Sequence, residues 1–214
     1  MPQIKVGRLG SFLRPFLQPI TRHNAGQARE MASQYLTQKK VPHKINIGMS
    51  VPKTNNHGLA KYRGGDAVTV PTAQGPHRIF SSSTSPSVMM HEAGHAQNMH
   101  NISNVIGRRG MVGAYRAAND YLPTIGNISG PTIGVMVDKD STLGRNAWMI
   151  PLGMAAPQLT EEAVASARGM AGHRRMQGSR AALRGIPGSL AGLGAYAKWP
   201  LVSALATYFA NQVK

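Results

Sequence analysis

The sequence predicts an α+β fold that is mainly helical, with a few short strands on its N-terminal side. Three observations carry this. Apolar residues recur at helical spacing over residues 24–40 and again in the long stretches after Pro86. Residues 44–51, 67–70 and 77–80 read as short strands, separated by segments rich in Gly and Pro. The 214 residues are enough for one domain with a real core.

In chain order, residues 1–23 form a basic amphipathic arm. Lys5, Arg8, Arg14 and Arg22 alternate with Ile, Val, Leu and Phe, and no acid precedes Glu30. Such a segment suits a partner or membrane surface, or a mitochondrial transit peptide. Pro15 and Pro19 argue against a long helix there. A helix follows, with Asn24 able to cap it and Ala28, Met31, Ala32, Tyr35 and Leu36 on one face, and Val41-Pro42 ends it. Residues 44–51 alternate as a strand, residues 52–65 are a polar loop with Gly58, Gly64 and Gly65, and Ala67 to Val70 is a second strand. Gln74-Gly75-Pro76 turns into a third at His77 to Phe80. After a serine-rich loop, Ser85-Pro86 opens a helix that runs towards Ile106. Gly107 to Gly110 interrupts it, and it resumes from Met111 to Asp120.

Residues 121–137 and 146–159 carry no charge apart from the connecting loop, and read as a broken apolar hairpin over 121–159. Either half is shorter than the ~20 residues that cross a bilayer straight. The reading is membrane contact, with a buried core as the alternative. Thr160 is a natural N-cap, with Glu161 and Glu162 in a first turn where the helix dipole favours acids. The helix beyond is basic. Residues 186–210 are apolar except for Lys198, and Tyr196, Trp199 and Tyr208 suit an interface; a spanning or membrane-lying helix and a buried one compete here. The expected organisation is an arm over 1–23, a domain over 24–185 and an apolar C-terminal helix over 186–214.

The net charge of +16 calls for an anionic neighbour: lipid head groups, nucleic acid or an acidic protein. No aromatic-interleaved nucleic-acid motif accompanies it. Cysteine is absent, which excludes disulfides and any thiolate metal site.

The chemistry concentrates in His91-Glu92-Ala93-Gly94-His95. This is the H-E-x-x-H pattern. On a helix, residues four apart share a face, so His91 and His95 can offer two imidazoles to one Zn2+ ion, with Glu92 beside it as a base. Ala93 and Gly94 are small enough for close helix packing. A catalytic zinc takes a third protein ligand. A metzincin extension fails, because Asn98 and Asn101 stand where Gly and His are needed, and His100 lies on another helix face. Of the acids, Glu161 and Glu162 remain.

Glu162-Ala-Val-Ala-Ser-Ala-Arg resembles the E-x-x-A-S/D segment of gluzincin-type membrane peptidases. With H-E-x-x-H before it, residues 86–170 resemble the YugP-type neutral zinc metallopeptidase family and, more distantly, the HtpX-type proteases. The resemblance implies a zincin-like fold, in which an edge strand lies beside the motif helix and a second helix bears a ligand. It implies Glu162 as that third ligand, Ala165 and Ser166 as small residues beneath it, and zinc-dependent endopeptidase activity. Glu161 is the runner-up ligand. The His-Pro segment of the HtpX-type group has no counterpart, so His173 and Arg168 are the candidates to stabilise an oxyanion, with Tyr115 and Tyr121 behind them. Asp120 or Asn119 is the candidate to orient a ligand histidine.

The functional expectation is a membrane-associated zinc peptidase acting on polypeptide. The alternative is a structural subunit of a larger assembly, such as a virion or membrane complex, that retains a zinc site or its relic and faces nucleic acid or lipid. A basic binding protein with an accidental motif is the third reading.

Overall fold

The computed structural model describes residues 25–47, 67–81 and 85–213. The basic arm over 1–23, Asn24, the loop over 52–65 and the end of the first expected strand lie outside the described residues.

Helix α1 (Ala25–Gln38) buries the face its spacing predicts: Ala28, Met31, Ala32, Tyr35 and Leu36. It ends in a Schellman-type turn. Lys40 takes the left-handed conformation at φ 56, and the Val41 N–H reaches back to the Leu36 carbonyl at 2.9 Å. Three strands follow: β1 (His43–Ile47), β2 (Ala67–Val70) and β3 (His77–Ser81). Their order is β1-β3-β2, with β1 parallel and β2 antiparallel to β3, so among the described residues β2 is an edge. Gly75, at φ +75, provides the turn conformation between β2 and β3 that other residues resist.

Helix α2 (Pro86–Arg116) carries the H-E-x-x-H motif and starts at Ser85-Pro86. Gly107, at φ 75 and ψ 161, kinks it where the sequence predicts an interruption. A π-helical turn (Ala117–Tyr121) leads into α3 (Leu122–Met136). The short α4 (Thr142–Asn146) is capped by the Ser141 hydroxyl, which accepts from the Gly144 N–H. Helices α5 (Met149–Gln177) and α6 (Ser179–Gln212) complete the fold. Helix α5 is the hub: α2 packs on one part of it, and α3 and α6 on another. The main core joins α1, β1, β3 and α2 through Leu36, Ile45, Ile79, Met89 and Met90.

The mainly helical α+β class is thus present. Two expectations are corrected. The second motif helix begins at Met149, not at Thr160, so Thr160 is no cap and Glu161 and Glu162 lie mid-helix, away from the dipole's positive end. Pro157 sits inside α5, as Pro131 does in α3 and Pro187 and Pro200 do in α6. An internal Pro costs a helix about 3 kcal/mol, which the packing of these helices on one another offsets. The second correction concerns the spanning alternative for 186–210. Among the described residues, no helix is long and apolar enough to cross a membrane. Residues 186–210 instead belong to α6, which continues unbroken across position 186.

Candidate metal centre

Helices α2 and α5 run antiparallel and touch backbone to backbone. Glycine makes this possible at two points. A Cβ on Gly94 would overlap the Ala165 carbonyl oxygen, and a Cβ on Gly169 would sit 2.6 Å from the Met90 carbonyl and 2.9 Å from His91 Cα. The contact brings the motif of α2 against Glu161 and Glu162 of α5.

Four residues apart on α2, His91 and His95 face the same way, with their Nε2 atoms 2.9 Å apart. Glu162 Oε2 lies 3.4 Å from His91 Nε2 and 3.5 Å from His95 Nε2. Ligand atoms at about 2.0–2.1 Å from a tetrahedral zinc stand about 3.3 Å from one another. The three separations bracket that value, so the donor set fits such an ion. A Glu92 carboxylate oxygen lies within 4.8 Å of the imidazole nitrogens. The His91 side chain is 24% exposed, while those of His95 and Glu162 are about 5%, so the group opens to solvent on the His91 side.

The outer nitrogens are held as well. His95 Nδ1 is 2.7 Å from Glu161 Oε1, and the Ser166 hydroxyl is 3.1 Å from His91 Nδ1. With Nδ1–H of His95 donated to Glu161, Nε2 presents its lone pair inward. The second Glu161 oxygen is buried with no partner among the described residues. Glu92 is buried and accepts a 2.7 Å hydrogen bond at Oε2 from the Thr69 hydroxyl of edge strand β2.

Three of the eight acids of a strongly basic chain therefore meet in one buried place. Burial alone would lower the His95 pKa, but the charges and hydrogen bonds of Glu161 and Glu162 outweigh it and raise it well above 6.5. Burial likewise pushes Glu162 up, yet its bonds to His91 and His95 bring it down to about 2. His95 and the two carboxylates form an ion pair, and a divalent cation would replace that proton.

The other sequence candidates lie elsewhere. His173 is eleven residues beyond Glu162, a helix rise of about 16 Å, and bonds to Gln177 at 3.0 Å. That separation places it away from the His91, His95 and Glu162 group. Arg168 directs its guanidinium to the side-chain amide of Asn101, and it too lies outside the group. His100 faces His77 with ring centroids 6.5 Å apart, away from the motif pair. Asn119 bonds the Tyr115 carbonyl on its own turn, and Asp120 lies in the π-helical turn. Tyr121 is exposed. The carboxylate that orients a motif histidine is Glu161.

Sequence reasoning missed two contacts. Ser166 shares the face of Glu162 at four residues' distance, so its reach to His91 was available from spacing. Thr69 stands 23 residues before Glu92 on a strand, and no local pattern connects the two.

No known protein family, no curated protein and no solved structure matches the chain.

Proposed function

We propose that the protein is a zinc-dependent endopeptidase, with His91, His95 and Glu162 holding the metal. The observation that carries this is the convergence of His91 Nε2, His95 Nε2 and Glu162 Oε2 at tetrahedral separations, with Glu92 alongside. Bound there, zinc supplies a Lewis acid that acidifies water and polarises a carbonyl.

The chain's own groups do the rest. Glu92 takes a proton from the attacking water at a carboxylate oxygen and passes it to the leaving amine. Thr69 fixes the carboxylate through Oε2. Ser166 and Glu161 lock the two imidazoles by their outer nitrogens. Among the described residues, strand β2 ends its sheet next to Glu92, and an extended polypeptide can add to such an edge by backbone hydrogen bonds. This supports a peptide substrate over a small molecule.

Glu92→Gln is the test. It keeps the shape and the Thr69 contact but removes the base. Zinc content should stay at the wild-type level, while hydrolysis of an unfolded protein substrate should fall by about 10²–10⁴. Zinc retained in both proteins with no cleavage by either would favour the structural reading, a subunit of a larger assembly with a relic site.

A further inference from the structure

We propose that α3 and the C-terminal half of α6 together form a docking surface for an anionic lipid bilayer, lying in its interface without crossing it. This stands independently of the zinc reading, because none of its residues belongs to the metal group.

The two helices are packed with their polarity reversed. In water, a helix turns large apolar side chains inward and polar ones outward. Here the buried residues of α3 are Pro123 and three glycines, Gly126, Gly130 and Gly134. A Cβ on these glycines would meet Met154 at 2.5 Å, Pro151 at 2.5 Å and Thr207 at 2.9 Å. The inward groups of α6 are small or polar. Ser203 donates to the Asn127 carbonyl at 3.0 Å, and Asn211 donates to the Gly144 carbonyl at 3.0 Å. The outward faces carry Ile125, Ile128 and Val135 on α3 and Leu201, Leu205 and Phe209 on α6, all half-exposed or more, with Ile128 at 65% and Phe209 at 62%. Small residues between helices, hydroxyl and amide bonds across them and large apolar groups outside are the packing used where the solvent is lipid.

The ends of the surface identify the occupant. Residues 122–136 of α3 and 199–212 of α6 carry no charge. Basic and aromatic groups sit at both ends. At one, the Lys198 ammonium lies 5.4 Å from the Trp199 ring centre. At the other, Lys139, Arg145, Trp148 and Tyr208 line a cavity of about 320 Å³, with Asp140 among them. Tryptophan, tyrosine and lysine at the margins of an apolar band match the head-group level of a membrane. Helix α3 is about 22 Å long against the ~30 Å of a hydrocarbon core, so the surface lies in one leaflet. The net charge of +16 adds a long-range attraction to anionic lipid that a second copy of the same chain would oppose.

The chain contains two tryptophans, Trp148 and Trp199, and both lie at this surface. The full chain is mixed with vesicles of phosphatidylcholine containing phosphatidylglycerol, with and without brominated acyl chains. The expected result is a shift of tryptophan emission to shorter wavelength, quenching by bromine, and binding that weakens with salt. Leu205→Asp and Ile128→Asp should each weaken vesicle binding about tenfold or more. Both positions are exposed, so helicity by circular dichroism should remain that of the wild type. Unchanged emission with the protein left in the supernatant would overturn the proposal. So would equal binding to phosphatidylcholine alone, or a concentration-dependent dimer that Leu205→Asp dissociates, which would give this face to a second copy.

Discussion

Glu161 and Glu162 are adjacent in sequence and meet different atoms of the same histidine. Glu162 reaches the inner nitrogens of His91 and His95, and Glu161 the outer nitrogen of His95. Their substitutions should therefore separate. Glu161→Gln keeps an acceptor near Nδ1 and should weaken zinc binding about 10–100-fold, whereas Glu162→Ala removes a donor and should abolish stoichiometric binding. Competition with a chromophoric chelator reads both. Protons report the same contact. The two carboxylates raise the His95 pKa well above 6.5, so the free protein carries that proton at neutral pH. Zinc uptake at pH 7 should release about one proton, seen by titration calorimetry in buffers of different ionisation enthalpy. The release should shrink in Glu161→Gln, and zinc affinity should fall as pH falls. At this scale the motif residues were legible because their spacing is local. Thr69 was not, because its bond to Glu92 depends on how the sheet meets α2.

Among the elements, the α2–α5 crossing decides whether the group exists. Its closeness rests on Gly94, whose added Cβ would strike the Ala165 carbonyl. Gly94→Ala should force the helices apart and cost about 1–3 kcal/mol or more, with loss of zinc affinity as Glu162 withdraws. Denaturant unfolding and metal content check the two effects. On β3, His77 is fully buried and neither ring nitrogen has a partner among the described residues. Burial, Arg108 and His100 lower its pKa to about 4. The unfolded chain binds that proton from about pH 6.5 downwards, so stability is full above 6.5 and declines as pH falls towards 4. His77→Leu should flatten that decline and raise stability at pH 5, measured by urea unfolding at pH 5 and pH 7. The small size of Gly94 in the motif announced close packing, and the structure supplies Ala165 as its neighbour. The start of α5 was not legible. Pro151, Pro157 and an uncharged run suggested separate pieces, and only packing against α3 and α6 keeps them in one helix.

Across the whole molecule, charge and apolarity are sorted into places. Acids are few, and three of them gather at the group between α2 and α5. Many of the large apolar side chains not used in the core lie along α3 and α6, and others are exposed on α2 at Ile102, Val105 and Ile106. The fold class and the strand-then-helix order were readable from periodicity, because those signals are local. The inward turn of glycine and threonine in α3 and α6 was not, because the uncharged stretches gave the same pattern for burial and for lipid contact. Zinc would tie α2 to α5, the hub of the helices, and so couple metal to global stability. At free zinc 100-fold above its dissociation constant, the gain should be about 2.7 kcal/mol, visible as a higher Tm that a chelator reverses.

The most direct measurement is the zinc content of the purified full chain by mass spectrometry, beside His95→Ala and Glu162→Ala. The account predicts about one zinc per wild-type chain and none in either variant. A wild-type chain that holds no zinc after reconstitution, or variants that hold as much as the wild type, would contradict it.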